Sequence, residues 1–224
     1  MFKKILVVED MEIANYGIIK TLTDKQIIIE EDIYQTQSCD KALLLFKKAI
    51  QEKNPFDLVI TDLSFEKNYK DEKIISGIEL IKELRKIEPN TKIIVYSIED
   101  IPLKINTLFE KQKINGYIVK DGYDAKELIA AIKEIYQGNK YRSTQLLKSM
   151  NKKNSIQLDD YHQLLIDKLV EGYTQKEIRE YFVKHNIKPY SKSIIEKRLE
   201  KLKLDFEAKS IPHLVAILKD FGLI

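Results

Sequence analysis

Polar residues suited to metal and phosphate chemistry follow four short apolar runs within the first 120 residues. Glu9 and Asp10 follow the first run, Asp62 follows a later one, and Ser97 and Lys120 follow the last two. Three carboxylates brought together would repel one another unless a divalent cation lay among them, and their oxygens suit Mg²⁺. A carboxylate can also accept a phosphoryl group and form an aspartyl phosphate. The residue types therefore predict a phosphoacceptor pocket that binds Mg²⁺.

Each residue of this set has a specific role in that chemistry. Asp62 would accept the phosphoryl group, and Glu9 and Asp10 would hold the metal. Lys120 would neutralise one phosphoryl oxygen, and the Ser97 hydroxyl would donate to another. Taken singly, an acid at a strand end is usually a solvated loop residue, or a helix N-cap as Asp10 could be. The joint order of acid pair, Asp, hydroxyl and Lys is much harder to obtain by accident.

Strands and helices alternate in the part of the chain that must position these residues. The predicted strands are Ile5–Val8, Ile27–Ile29, Leu58–Ile60, Ile93–Tyr96 and Tyr117–Val119. The predicted helices are Cys39–Lys53, Gly77–Ile87, Leu103–Gln112 and Asp124–Gln137. This alternation predicts an α/β fold with a doubly wound, five-stranded parallel sheet. In such a sheet, chemistry gathers at the carboxyl ends of the strands, where all five polar residues are placed.

The balance of charged side chains and the pattern of apolar residues both change near residue 140. Residues 1–140 carry 22 basic and 24 acidic side chains, whereas residues 141–224 carry 16 basic and 11 acidic ones. The polar stretch 139–157 predicts a linker between a first domain, 1–138, and a second, 158–224. The second domain has helical patterns only, at Asp159–Glu171, Thr174–His185, Ser191–Leu204 and Pro212–Phe221. A small all-α domain is expected to follow the α/β domain.

The third of these helices, Ser191–Leu204, carries many basic residues on one face. Its core residues recur at helical spacing, and its other face is rich in lysine, the electrostatic footprint of a helix laid against phosphates. The predicted contacts are Lys192, Ser193, Glu196, Lys197, Arg198 and Lys201. Arg198 has the fork that suits guanine, but it could face the protein because it directly precedes Leu199. A solvated Lys-rich face is the alternative, although a third helix in a compact set favours helix-turn-helix docking.

Four segments of the first domain carry a family resemblance. The chain is similar over about residues 1–138 to the receiver domain of two-component response regulators, a flavodoxin-like fold. The segments that carry it are Ile5-Leu6-Val7-Val8-Glu9-Asp10, Phe56-Asp57-Leu58-Val59-Ile60-Thr61-Asp62, Ile93-Ile94-Val95-Tyr96-Ser97 and Gly116-Tyr117-Ile118-Val119-Lys120-Asp121. The resemblance implies phosphorylation of Asp62 by a sensor histidine kinase, Mg²⁺ held also by the Ser64 carbonyl, and Tyr117 as a switch residue.

The second domain resembles the LuxR-type (NarL/FixJ-like) helix-turn-helix domain over about Leu158 to Ile224. The motifs are Gly172-Tyr173-Thr174-Gln175-Lys176-Glu177-Ile178, Ser191 through Leu204, and the ending Gly222-Leu223-Ile224. This resemblance implies binding to double-stranded DNA, a homodimer and control of transcription, and it leaves RNA polymerase open as a further partner.

The chain departs from the receiver pattern after the acceptor residue. The family usually has Met-Pro there and a glycine shortly beyond, whereas this chain has Leu63-Ser64-Phe65-Glu66 and a charged stretch before Gly77. The turn 185–190 before the third helix of the second domain is also longer than usual. We expect metal binding to survive, because a backbone carbonyl does not depend on side-chain type.

Composition excludes several classes of protein, and three other functions stay open. One cysteine, Cys39, excludes an internal disulfide framework, and no apolar stretch reaches the ~18–20 residues of a membrane span. A cytoplasmic protein that is not an enzyme is predicted. The open alternatives are a phosphorylation-independent regulator with a vestigial pocket, a phosphoesterase with an aspartyl intermediate, and an adaptor that binds protein through its basic helices.

Overall fold

The computed structural model describes residues 2–65, 72–120, 124–152 and 158–220, with the backbone alone at 124, 149–152 and 220. The chain forms two compact units, one made mostly of residues 1–152 and the other mostly of residues 153–224. The predicted domain boundaries, 1–138 and 158–224 with a linker between them, stay a prediction. Within the described residues, no helix is long and apolar enough to cross a membrane.

The first unit contains a parallel sheet in the order β2-β1-β3-β4-β5-β6. The strands are β1 (Ile5–Val8), β2 (Ile33–Thr36), β3 (Leu58–Thr61), β4 (Lys92–Ser97), β5 (Gly116–Val119) and β6 (Tyr141–Arg142). Every residue of β1, β3 and β5 is buried. Continuous apolar runs of this kind are typical of central strands in a parallel sheet whose two faces are covered by helices. The predicted doubly wound α/β fold is confirmed.

Ten helices are present in the described residues. In chain order they are α1 (Glu12–Asp24), α2 (Cys39–Gln51), α3 (Gly77–Ile87), α4 (Pro102–Lys111), α5 (Asp124–Tyr136), α6 (Thr144–Lys152), α7 (Asp160–Val170), α8 (Gln175–Lys184), α9 (Lys192–Asp205) and α10 (Ile211–Asp220). Serine caps two helices that border the sheet's carboxyl edge: Ser38 Oγ accepts from Lys41 N and Ser76 Oγ from Glu79 N, both at 3.3 Å. Capping satisfies a backbone donor that the first turn leaves unpaired.

The second strand was predicted at the wrong place. Ile27–Ile29 does not form a strand; β2 is Ile33–Thr36, after a short 3-10 turn at Glu30–Asp32. Ile27 and Ile28 are buried as part of the core that covers one face of the sheet. β2 lies at the edge and pairs with β1 alone, so its side chains need not be uniformly apolar. The apolar run therefore contributes to the core, whereas the strand that pairs with β1 is formed by the more polar segment that follows.

The predicted linker 139–157 contains ordered structure, and the five-stranded sheet has a sixth strand. β6 pairs with β5 through Tyr141 and Arg142, and α6 follows it directly. Ser143 extends this attachment, since its backbone N–H donates to the Tyr117 carbonyl at 2.9 Å and its Oγ accepts from Val119 N at 3.2 Å. The polar composition concealed a short edge strand that depends on ladder hydrogen bonds rather than on apolar side chains. Residues 153–157 lie outside the described residues.

Within its described residues, the second unit contains helices and no strand, as predicted. Ile195, Leu199 and Leu202 of α9 are buried in its core together with Phe182 and Phe206, so this face of α9 points inward. A capping box is present at the start of α8: Thr174 Oγ1 accepts from Glu177 N at 3.3 Å, and Glu177 Oε2 accepts from Thr174 N at 2.7 Å. The ending 221–224 lies outside the described residues.

Candidate functional site

Three carboxylates converge at the carboxyl edge of the sheet. Val8 at the end of β1 is in register with Thr61 at the end of β3, so the residues that follow these strands are neighbours. One oxygen from each of Glu9, Asp10 and Asp62 lies within 4.8 Å of the others. Glu9 is 1% and Asp62 5% exposed. The predicted acid cluster is therefore assembled in a pocket largely withdrawn from water.

Lys120 joins two of these carboxylates. Its Nζ lies 2.8 Å from Glu9 Oε2 and 2.8 Å from Asp62 Oδ2. The backbone places it there, because Lys120 N donates to the Ser97 carbonyl at 2.9 Å where β4 and β5 end. Burial alone would lower the pKa of Lys120, but its hydrogen bonds to Asp62 and Glu9 together raise the pKa above the usual value. The ammonium is held in its charged form beside the predicted acceptor.

The acid cluster offers carboxylate oxygens from three residues. Burial raises the pKa of Glu9 above its usual value, although the Lys120 ammonium opposes that rise. Lys120 contacts two of the three clustered carboxylates, and the side-chain atoms of the cluster that could bind a metal are all carboxylate oxygens. A hard divalent cation such as Mg²⁺ fits this donor set, since it binds through one or two carboxylates and keeps some waters.

The backbone around Asp62 is fixed by close contacts. Asp62 Oδ1 accepts from Leu63 N at 2.5 Å and lies 3.4 Å from Ser64 N, while Thr61 Oγ1 donates to the Asp62 carbonyl at 2.9 Å. A Cβ placed on Gly77 would overlap that same carbonyl oxygen. The glycine after the enlarged loop is thus required by close approach to the acceptor, which the sequence alone did not reveal. The predicted metal-binding role of the Ser64 carbonyl stays a prediction.

Asp10 does not cap the following helix. The N-cap of α1 is Met11, which makes no side-chain capping bond. Met11 N instead donates to Glu9 Oε1 at 3.3 Å. The alternative interpretation of Asp10 as the N-cap of this helix is therefore wrong.

Ser97 and Tyr117 occupy buried positions behind the acid cluster. Ser97 is fully buried, and no group in the described part of the chain meets its Oγ with hydrogen-bonding geometry. The Tyr117 ring is fully buried, and its hydroxyl donates to the Glu99 carbonyl at 2.8 Å. Burial raises the pKa of the Tyr117 phenol well above its usual value, and the nearby Ser97 hydroxyl only partly opposes this. The switch role of Tyr117 stays a prediction.

The residues predicted to contact DNA divide into two groups on α9. Lys192, Ser193, Lys197 and Lys201 are exposed and lie on the surface of the second unit. Glu196 is half-buried, with Oε1 3.6 Å from Lys192 Nζ. The exposed group forms a basic surface on the helix, whereas the charge of Glu196 is partly offset by a neighbour one turn away.

Arg198 faces the protein. Its guanidinium lies over the Tyr161 ring, 4.4 Å from the centroid, and Nη1 is 3.4 Å from both Asp159 Oδ2 and His162 Nε2. These partners belong to the start of α7, where Asp159 is the N-cap and Oδ1 accepts from His162 N at 2.8 Å. Of the two orientations that the sequence allowed for Arg198, the structure has the one that joins α9 to α7.

Comparison with known proteins agrees with this geometry. Residues 5–133 match the family model described as the response regulator receiver domain. The chain belongs to the response regulator receiver family. The matched segment of the receiver domain includes Glu9, Asp10, Asp62, Ser97 and Lys120, while α9 lies outside it.

Relatives and solved structures extend the likeness. The response regulator GacA of Pseudomonas aeruginosa is 26% identical over 151 residues, which make up 66% of this chain and 61% of that protein. The chain therefore matches less than two thirds of this curated relative. A structure of two RcsB dimers bound to two parallel DNAs is 21% identical, with a TM-score of 0.65 and coverage of 97% of this chain and 98% of that one. RcsB from Salmonella enterica serovar Typhimurium, bound to the rprA promoter with phosphomimetic BeF3⁻, is 20% identical, with a TM-score of 0.63 over the same shares. At this level of identity the structures establish the fold alone.

Proposed function

We propose that this chain is a DNA-binding response regulator of a two-component system, phosphorylated on Asp62 by a sensor histidine kinase. The observation that carries the proposal is the position of Lys120 Nζ, 2.8 Å from both Asp62 and Glu9. A structural ion pair needs one carboxylate partner, whereas a pocket of three acids and one lysine suits a divalent cation and a phosphoryl group.

The phosphoryl transfer uses residues already in place. A carboxylate oxygen of Asp62 attacks the phosphorus of a phosphohistidine, so that a P–O bond forms, the P–N bond breaks and the imidazole leaves with the bonding electron pair. Lys120 holds positive charge where a phosphoryl oxygen arrives, and the buried Ser97 hydroxyl, which has no hydrogen-bond partner among the described residues, gains an acceptor. Bound Mg²⁺ would supply further positive charge, held by Glu9, Asp10, Asp62 and the Ser64 carbonyl. The chain acts as a phosphoacceptor and has no turnover chemistry towards other substrates.

The second unit is the proposed output domain. The exposed lysines of α9 supply positive charge for phosphate contacts. The N-terminal turns of α9 carry the side chains that would approach the bases. The fold shared with DNA-bound RcsB supports this assignment. Phosphorylation is proposed to favour a homodimer, since a phosphoryl group adds charge and acceptor oxygens that bias a two-state surface.

Intact-mass measurement after incubation with acetyl phosphate and MgCl2 tests the acceptor assignment. We expect the mass of one added phosphoryl group in the wild type and none in Asp62→Ala, with Asp24→Asn, an exposed acid at the end of α1, behaving as wild type. A mass shift that persists in Asp62→Ala would contradict the assignment.

Selection from random DNA duplexes, with and without phosphorylation, tests the proposed DNA binding. Equal affinity in both states would favour the alternative regulator with a vestigial pocket.

A further inference from the structure

The segment that leads from the enlarged loop into α3 is fastened to α2 by one carboxylate. Asp40 Oδ2 accepts from Lys73 N at 2.9 Å, and Asp40 Oδ1 accepts from Ile74 N at 3.1 Å. We name these two bonds the Asp40 clamp. Each oxygen of the Asp40 carboxylate accepts from one of two successive backbone N–H groups. Both bonds are charge-assisted, so together they define the position of the segment closely.

The other end of this segment lies against the acceptor. Ser76 forms an antiparallel bridge with Ser64, and Gly77 N donates to the Leu63 carbonyl at 3.0 Å. Gly77 also lies directly against the Asp62 carbonyl. Residues 73–77 therefore connect the Asp40 clamp to the backbone of both Asp62 and Ser64 over a few residues.

Further contacts make this connection stiff. Ile74 is 7% exposed, so its side chain anchors the segment in the core. Ile75 N donates to Glu79 Oε2 at 3.0 Å, which ties the next residue to the first turn of α3. A displacement at the clamp would accordingly be passed on to Gly77 rather than absorbed by the intervening backbone.

We propose that Asp40 is a positioning residue of the phosphoacceptor pocket, which holds the segment 73–77 so that the backbone at Asp62 and Ser64 keeps the geometry needed for Mg²⁺ and phosphoryl binding. The inference rests on the proposed function. It gives a reason why the pocket tolerates an enlarged loop without the proline that related receivers have: the carboxylate of a neighbouring helix fixes the returning chain instead.

A purely structural role would assign Asp40 to helix stability. It lies in the first turn of α2, where a negative charge interacts favourably with the helix dipole. The two roles separate in Asp40→Glu. Glutamate keeps the charge in the first turn but is longer by one methylene, so it cannot place its oxygens on both backbone donors in the same geometry.

The test uses the full chain and the variants Asp40→Ala, Asp40→Asn and Asp40→Glu. Asp160→Asn is the matched control, because Asp160 is an exposed first-turn acid of α7 outside the receiver domain. Calorimetric titration with MgCl2 gives the dissociation constant, intact mass gives the phosphorylation rate with acetyl phosphate, and circular dichroism monitors folding. Amide hydrogen exchange reports directly on residues 73–77.

We expect Asp40→Ala and Asp40→Glu to bind Mg²⁺ about tenfold more weakly, the usual size of an effect on residues that orient metal ligands. Phosphorylation should slow in parallel, and exchange should quicken at 73–77 while both variants stay folded. The proposed role of the Asp40 clamp would be overturned if Asp40→Glu bound Mg²⁺ as tightly as the wild type. It would also be overturned if amide exchange quickened along α2 rather than at 73–77. Either result would leave the assignment of Asp62 as acceptor unchanged. Wild-type protein that neither binds Mg²⁺ nor takes up a phosphoryl group would contradict the proposed function as well.

Discussion

Gly77 lies so close to the backbone carbonyl of Asp62 that no side chain fits between them. Gly77 is the first residue of α3, after the enlarged loop, and Asp62 follows β3, before the loop, so the contact joins the two ends of the loop. Any Cβ at residue 77 meets backbone atoms of Asp62 and Leu63, which cannot move aside as the end of a flexible side chain can. The acceptor and α3 must therefore move together.

Gly77→Ala should lower both stability and phosphorylation. The methyl group displaces the Asp62 backbone, at a cost of about 1–3 kcal/mol in the free energy of unfolding, and it moves the carboxylate within its pocket. Urea denaturation and the rate of phosphorylation by acetyl phosphate measure the two effects. Gly17→Ala is the control, because a Cβ there meets nothing within 4 Å in the middle of α1. That change should stabilise the protein by roughly 0.5–1 kcal/mol and leave phosphorylation unchanged.

Lys120→Met should destabilise the cation-free protein. It leaves Glu9 and Asp62 buried without their shared partner, and breaking a buried pair costs about 3 kcal/mol. Added Mg²⁺ should recover part of this loss, because a divalent cation restores positive charge among the acids. Urea unfolding with EDTA and then with MgCl2 gives both values. Lys48→Met is the comparison, since Lys48 forms an exposed pair with Glu52 at 3.7 Å, and its removal should cost less than about 1 kcal/mol. Equal losses for the two variants would contradict a special role for Lys120.

Mg²⁺ affinity should fall as pH decreases, and the fall should begin above the usual carboxyl range. Burial raises the pKa of Glu9 in the cation-free pocket, so a proton stays on this carboxyl at pH values where an exposed glutamate has lost it. Metal binding must displace that proton. Because the folded state binds the extra proton between the unfolded and folded pKa values, the stability of the cation-free protein decreases as pH rises through that window. Calorimetry in buffers of different ionisation enthalpy measures the proton release. Glu9→Gln should remove it.

The sequence predicted most of the acid pocket because β1, β3, β4 and β5 are buried on both faces. Their apolar runs end where the chain leaves the sheet, so the next polar residue marks the functional edge. Edge strands lack this signal: three of the four residues of β2 are not buried, β6 has only two residues, and each strand pairs with one neighbour. Asp40 was equally hidden, since an acid in the first turn of a helix is ordinary in sequence and only the returning segment reveals its two partners.

Neighbouring basic residues on α9 should have different effects on DNA binding. Lys197 is exposed, so Lys197→Ala should weaken binding to all duplexes alike and reduce the slope of log K against log salt by about one. Arg198 is held by Asp159 and Tyr161, so Arg198→Ala should mainly lower the stability of the second unit, by about 1–2 kcal/mol from the lost packing and hydrogen bonds. Salt-dependent binding and thermal unfolding of both variants separate the two roles. If Arg198→Ala relaxed the sequence preference at one base pair without loss of stability, the guanidinium would have to leave α7 on binding and read a base itself.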